Sequence, residues 1–205
     1  MELKQALDEL RKEEKRKFAQ GVDLIVNLKG VDMKRDNIAT VITLPNKFKD
    51  KKVCGFLNNP SKVVKTITKL DFPKYKEKKD LKKLIKEYDA FIASAQLMPS
   101  VATVFGKVLG PAGKMPSPQL GVVMQETDAA ITELVGKISR SIRVKAKEPS
   151  IKIVVAKDDM SDEKIMENIK ASYIAIVDAL PTKRENVKNV MIKLTMSKPI
   201  KVEIK

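Results

Sequence analysis

The sequence has no histidine, no tryptophan and a single cysteine among its 205 residues. Without histidine, the chain lacks the usual general base near neutral pH and the commonest metal ligand in proteins. One cysteine excludes an internal disulfide and leaves a structural zinc site out of reach. Catalysis would have to depend on carboxylates or lysines, so we expect no enzyme, no catalytic residues, no metal and no cofactor.

Long apolar runs are also missing. The stretch 90–95 is one of the longest, and it is far shorter than the about 20 residues that a membrane helix needs. The chain opens with a charged segment and not with an apolar leader, so we expect no membrane partner. Cys54 lies in an apolar stretch, which indicates a small core residue in a protein of the reducing cytosol.

Positive charge is in excess. The sequence has 41 basic and 26 acidic residues, a formal net charge of +15 and a pI near 9.7. Such charge can simply serve solubility, but it also favours a polyanionic partner, and nucleic acid phosphates are the abundant cytosolic choice. Charge alone does not identify the nucleic acid. The lysine-rich stretch 74–86 also contains acidic residues, which is typical of a solvated helix surface.

The first fifty residues predict one helix and two strands. Apolar residues at helical spacing predict an amphipathic helix over 1–19. Gly21 interrupts this pattern, and strict alternation of apolar and polar residues over 22–28 predicts a strand. A second strand is predicted at 39–44, and we expect the two strands to pair antiparallel.

The middle of the chain alternates short strands with helices, as in parallel α/β domains. Strands are predicted at 53–57 and 89–95, the second one apolar on both faces and therefore fully buried. Helices are predicted at 61–69 and from Asp80, Pro99 and Thr127 onwards.

The last third returns to the pattern of the first. A strand is predicted at 151–155, a helix from Ser161 to Pro181, and alternating strands at 190–196 and 200–204. Neither terminal piece can stand alone, so we expect a discontinuous α+β domain, 1–50 plus 141–205, with a four-stranded antiparallel sheet and two helices. Residues 51–140 would form an inserted three-layer, Rossmann-like α/β domain.

The most unusual segment is 105–118, Phe-Gly-Lys-Val-Leu-Gly-Pro-Ala-Gly-Lys-Met-Pro-Ser-Pro. Its Gly113-Lys114 pair has the order found in a phosphate-binding P-loop. That motif, however, needs glycine at Val108 and serine or threonine at Met115, so a P-loop nucleotide site is excluded. A rigid loop that presents Lys107 and Lys114 remains, either as a turn or as an RNA contact.

Two further features have open interpretations. The polar segment 193–199 interrupts the final strand, as an edge-strand bulge or as a nucleic acid contact. Phe18 either packs in a core or is exposed for stacking.

These segments resemble the universal large-subunit ribosomal protein one family, the stalk proteins. Residues 105–118 resemble its signature, and Lys17-Phe18 with Val22-Asp23 resembles its N-terminal Phe-x-x-x-Val-acid element. Thr195-Met196, followed by 199–202, resembles its C-terminal Thr-Met-Gly edge. The resemblance covers essentially the whole chain, and Gly-Lys-Met-Pro is similar to archaeal members.

The resemblance implies a structural, monomeric component of the large subunit of cytoplasmic ribosomes. The outer domain would bind large-subunit rRNA to form the mobile stalk near the tRNA exit site. The middle domain would move and contact exit-site tRNA or further RNA, and the protein would also repress translation of its own mRNA. The residues implied in rRNA binding, with two neighbouring lysines added, are Lys17, Phe18, Gly21, Asp23, Lys152, Lys157, Thr195, Met196 and Ser197. The candidates in the second domain are Lys107, Gly110, Gly113 and Lys114.

The chain departs from the family pattern at two positions. Ser197 stands where glycine is usual, and Ala112 stands where arginine is frequent. The charge distribution also favours the other domain, because residues 51–140 carry 16 basic and 8 acidic residues, a net of +8. We give the motifs precedence, because attraction to phosphates is independent of sequence. The alternatives are a small-molecule or nucleotide-using enzyme built on the middle domain and a sequence-specific DNA-binding protein.

Overall fold

The structure is a computed structural model that describes residues 1–12, 17–32, 38–75, 78–146 and 148–204. The chain divides into two compact units. The outer unit comprises Met1–Phe48 and Arg140–Lys205, and the middle unit comprises Lys49–Ser139. An RNA-binding role for the first and mobility for the second stay predictions.

The helices and strands are numbered in chain order. They are α1 (Leu3–Lys12), β1 (Gly21–Leu28), β2 (Ala39–Thr43), β3 (Val53–Phe56), β4 (Lys65–Ile67), α2 (Lys78–Glu87), β5 (Ala90–Ser94), α3 (Met98–Leu109), β6 (Val122–Val123), α4 (Asp128–Arg140), β7 (Ser141–Lys145), β8 (Ser150–Lys157), α5 (Asp162–Asp178), β9 (Val187–Leu194) and β10 (Ile200–Val202).

The outer unit contains a four-stranded antiparallel sheet in the order β10-β9-β1-β8. Along β1, the even-numbered residues are buried and the odd-numbered ones are partly exposed, as the alternation predicts. The helices α1 and α5 pack against the buried face and against each other. The predicted antiparallel sheet is therefore confirmed.

The predicted pairing of the first two strands is wrong. Strand β2 pairs with β7, because both edges of β1 are taken by β8 and β9. Strand β7 was not predicted, because it follows α4 directly without a turn signal. Ile42 of β2 is completely buried, and α5 packs against this strand pair.

The first helix is shorter than predicted. Its described part ends at Lys12, residues 13–16 lie outside the described residues, and Lys17 and Phe18 form a bend. Leu10 is the last buried residue of the apolar stripe.

The middle unit contains a parallel sheet in the order β4-β3-β5-β6. Phe91 and Ile92, neighbours in β5, belong to two different apolar clusters. Successive residues of a strand face opposite sides of the sheet, so each side carries its own core. Cys54 is fully buried, and burial raises the pKa of its thiol to about 12, consistent with the predicted core role.

The helix predicted at 61–69 is wrong. Residues 65–67 form β4, which pairs parallel with β3, and a short 3-10 helix follows at Lys69–Tyr75. Thr66 and Ile67 are β-branched and favour a strand, and Ile67 is buried. Within the described ranges, every helix is too short or too polar to cross a lipid bilayer.

Candidate nucleic-acid interface

The sheet of the outer unit has a second face, opposite α1 and α5, which we call the open face. Residues directly opposite in register point to the same side of a sheet. The strand partners of the partly exposed β1 residues therefore lie on the open face as well. The open face includes Gly21, Asp23, Ile25 and Asn27 of β1, Ser150, Lys152 and Val154 of β8, Asn189, Met191 and Lys193 of β9, and Lys201 of β10.

At one end of the open face, Gly21 lies against Thr195. The Gly21 amide donates to Thr195 Oγ1 at 3.0 Å, and the Thr195 amide donates to the Gly21 carbonyl at 3.0 Å. A Cβ atom on Gly21 would lie 3.0 Å from Val154 Cγ1 and 3.4 Å from Thr195 Oγ1. Glycine therefore permits this close approach, and the predicted Gly21 and Thr195 form one structural unit.

The segment after β9 is a tight turn, so the interpretation as an edge-strand bulge is wrong. The Ser197 amide donates to the Leu194 carbonyl at 3.1 Å, and the Leu194 amide donates to Ser197 Oγ at 2.8 Å. The Met196 amide donates to Gln20 Oε1 at 3.1 Å. Ser197 thus closes the turn, and the turn holds Met196 outward.

Exposed apolar side chains gather at this end. Met196 is 63% exposed, Phe18 is 55% exposed and Val154 is 43% exposed. Gln20 ties the segments of Phe18 and Met196 together, and Val154 lies beside Gly21. The core interpretation of Phe18 is therefore wrong, and an exposed aromatic ring is available for stacking on a base.

Lysines line the open face, and two of them were not among the predicted rRNA-binding residues, although Lys193 lies in the segment 193–199 that was considered as a nucleic acid contact. Lys193 lies opposite Asp23 and donates to the Thr195 carbonyl at 3.2 Å, and Lys201 lies opposite Met191. Both follow from strand register, which the sequence does not give. The predicted Lys152 lies opposite Ile25 on this face.

The remaining predicted lysines lie at the same end as Gly21. Lys157 is opposite Gly21 in register, and Lys17 is exposed in the bend before it. The structure thus brings the predicted residues of 17–23 and 195–197 and Lys157 to one end of the sheet, and Lys152 lies further along the open face, opposite Ile25.

Asp23 is the one carboxylate among the open-face residues. Burial raises its pKa above the ordinary value, and the positive charge of Lys193 lowers it in part. Burial thus removes part of the water around the carboxylate, and the attraction of Lys193 offsets only part of the free-energy cost of the charged form. Such an arrangement is frequent at functional sites.

The candidates of the middle unit are placed differently. Residues 105–109 belong to α3, and Phe105 is fully buried, so only the rest of the signature is a loop. Lys107 is exposed in the last turn of α3, and Gly110 and Gly113 are exposed behind it. Gly113 has a φ of 67°, which favours glycine.

Of the two interpretations of Lys114, a turn residue or an RNA contact, its hydrogen bonds favour a structural role. Its ammonium group donates to the carbonyls of Ile85 and Tyr88 at 2.6 and 2.7 Å. These atoms lie at the C-terminal end of α2, where carbonyl groups lack partners within the helix. Lys114 is therefore a helix cap.

Comparison with known proteins identifies the family of the chain. The model of the ribosomal protein L1p/L10e family matches residues 10–198. A large ribosomal subunit protein uL1 from Thermococcus kodakarensis is 33% identical over 199 residues, covering 92% of this chain and 90% of that protein. The protein of the same name from Methanobrevibacter smithii is 32% identical over 215 aligned positions, covering 98% of both chains. The chain therefore belongs to the ribosomal protein L1p/L10e family.

Proposed function

We propose that the outer unit binds large-subunit rRNA and that the protein is a structural, non-enzymatic component of the large subunit of the cytoplasmic ribosome. One observation carries the proposal. The segments 17–23 and 193–197, from opposite ends of the chain, meet at one end of a lysine-lined sheet face and expose Phe18 and Met196 there.

Each part of this interface has a physical role. Lys152, Lys193 and Lys201 hold phosphates, and Phe18 stacks on an unpaired base. The contact of Gly21 with Thr195 brings backbone close to the RNA, where ribose 2′-hydroxyls distinguish RNA from DNA.

The finer role follows the family resemblance. We propose that the bound rRNA forms the mobile stalk near the tRNA exit site, and that the same face binds a similar structure in the protein's own mRNA and represses its translation. The middle unit contacts exit-site tRNA or further rRNA, for which the exposed Lys107 remains a candidate.

The proposal is tested by a salt titration with two RNAs, the stalk rRNA fragment and an unrelated stem of equal length. Binding to both weakens as salt increases, because phosphate contacts release counterions. The stalk fragment is expected to keep its advantage at every salt concentration, since stacking and hydroxyl contacts do not depend on released ions. Equal affinities for the stalk fragment and the unrelated stem at all salt concentrations would contradict the proposal. A preference for duplex DNA over both RNAs would favour a DNA-binding protein.

Asp23 allows a test that separates binding from folding. Its folded-state pKa is raised, so ionisation of this carboxyl favours the unfolded chain at pH values above that pKa. Asp23→Asn should therefore raise the Tm of the free protein at pH 7. This gain should shrink as the pH falls through the raised pKa, because wild-type Asp23 then takes up its proton.

In the same variant, rRNA affinity at pH 7 should fall, because Asp23 accepts a ribose hydroxyl or orients Lys193. The control is Asp159→Asn, which changes an exposed residue outside the open face. An Asp23→Asn variant with unchanged Tm and unchanged affinity would contradict both roles.

A further inference from the structure

In the middle unit, the strand order predicts a crevice at the carboxyl edge of the sheet. From the end of β3 the chain runs to β4 on one side, and from the end of β5 it runs to β6 on the other. In open parallel sheets, this reversal of direction leaves a crevice between the two strand ends, and ligands bind there. Here the crevice lies between the carboxyl ends of β3 and β5.

The side chain of Glu126, from the segment after β6, occupies this crevice. Its carboxylate accepts hydrogen bonds from the backbone amides of Asn58 at 3.0 Å and of Asn59 at 3.1 Å. The Asn58 side-chain amide donates at 2.7 Å, and the Ser94 hydroxyl donates from the end of β5. Burial alone would raise the pKa of Glu126, but these donors outweigh it and the pKa is lowered.

The donors are backbone amides and neutral side chains that converge on one oxyanion. Two successive backbone amides form an anion-binding concavity of the kind used for phosphates. The loop is fixed independently, because Ser61 Oγ donates to Asp128 Oδ1 at 2.7 Å. The cradle therefore has a second tether that does not depend on Glu126.

We propose that the carboxyl edge of the middle sheet is a binding site for a single carboxylate or phosphate group, and that Glu126 fills it as an internal ligand. An attached carboxylate has a high effective concentration, so free anions do not compete with it. The wild-type protein consequently has no room for a nucleotide phosphate at this edge. This inference is independent of the RNA-binding role of the outer unit.

The test is chemical rescue of Glu126→Ala in the full chain. Without the carboxylate, the amides of Asn58 and Asn59 lose their acceptor, and the Tm should fall by roughly 3–10 °C. Sodium formate should restore part of this loss, whereas sodium chloride at equal ionic strength should not. A parallel titration with inorganic phosphate shows whether the cradle also takes that group.

Two control variants sharpen the result. Glu133→Ala removes an exposed carboxylate on α4 that pairs with Lys137 at 2.6 Å, and it should show no response specific to formate. Glu126→Gln fills the crevice with a neutral side chain of the same shape, so formate should not rescue it.

The inference is overturned if Glu126→Ala keeps the wild-type Tm. It is also overturned if neither formate nor phosphate restores a lowered Tm, because Glu126 would then be only a structural acceptor. Should Glu126→Ala fail to fold, its refolding yield in formate against chloride takes the place of the Tm. A higher yield in formate supports the site, and equal yields contradict it.

Discussion

Phe18→Ala is expected to weaken binding of the stalk rRNA fragment by roughly five- to 150-fold, because base stacking on an aromatic side chain contributes about 1–3 kcal/mol. Met196→Ala should weaken binding in the same direction. Both side chains are more than half exposed, so the Tm of the free protein should barely change. Filter binding of the labelled fragment, together with thermal unfolding of each variant, checks both expectations.

The matched control for this pair is Ile174→Ala. Ile174 is also exposed, at 57%, but it lies on α5, which covers the opposite face of the sheet. Its loss should leave RNA affinity unchanged. Wild-type affinity in both the Phe18 and the Met196 variants would show that this end of the sheet does not contact the RNA.

The second large effect concerns salt. Replacing Lys152, Lys193 and Lys201 with glutamine removes three cations from the open face. Each phosphate contact contributes about 0.7–0.9 to the slope of log affinity against log salt concentration, so the slope should become shallower by roughly 2. Affinity at low salt should fall steeply, and the difference from wild type should narrow as salt increases.

The control removes the same charge from the helical layer, through Lys4, Lys164 and Lys170, which are exposed on α1 and α5. Net charge then changes equally while the open face stays intact. If the slope of log affinity against log salt concentration becomes shallower by the same amount in both triple variants, the lysines act through overall charge, and the assigned face is wrong.

The sequence predicts those elements whose apolar period is long and uninterrupted. Strand β1 alternates over eight residues and α5 keeps its buried stripe over seventeen, so burial alone determines both. Strand β4 has only three residues. Its pairing depends on β3, and the local pattern therefore did not distinguish it from a helix.

The pairing of the strands is the part of the fold that the sequence does not reveal. Which strand lies beside β1 decides that Lys193 and Lys201 share a face with Asp23, and that choice is made by packing over long separations in the chain. Lys114 shows the same limit, since only the tertiary fold brings its ammonium group to the end of α2. A charge count therefore overstates how much of the middle unit's positive charge is available to RNA.

The central position of β1 has a consequence for synthesis on the ribosome. This strand is made first, but its two neighbours, β8 and β9, are among the last segments to be translated. The middle unit is continuous in the chain and can fold while translation proceeds, because domains fold as units. The face with Phe18 and Met196 exists only after β9 has emerged, so under the proposed function a chain released before β9 would lack the surface that binds rRNA.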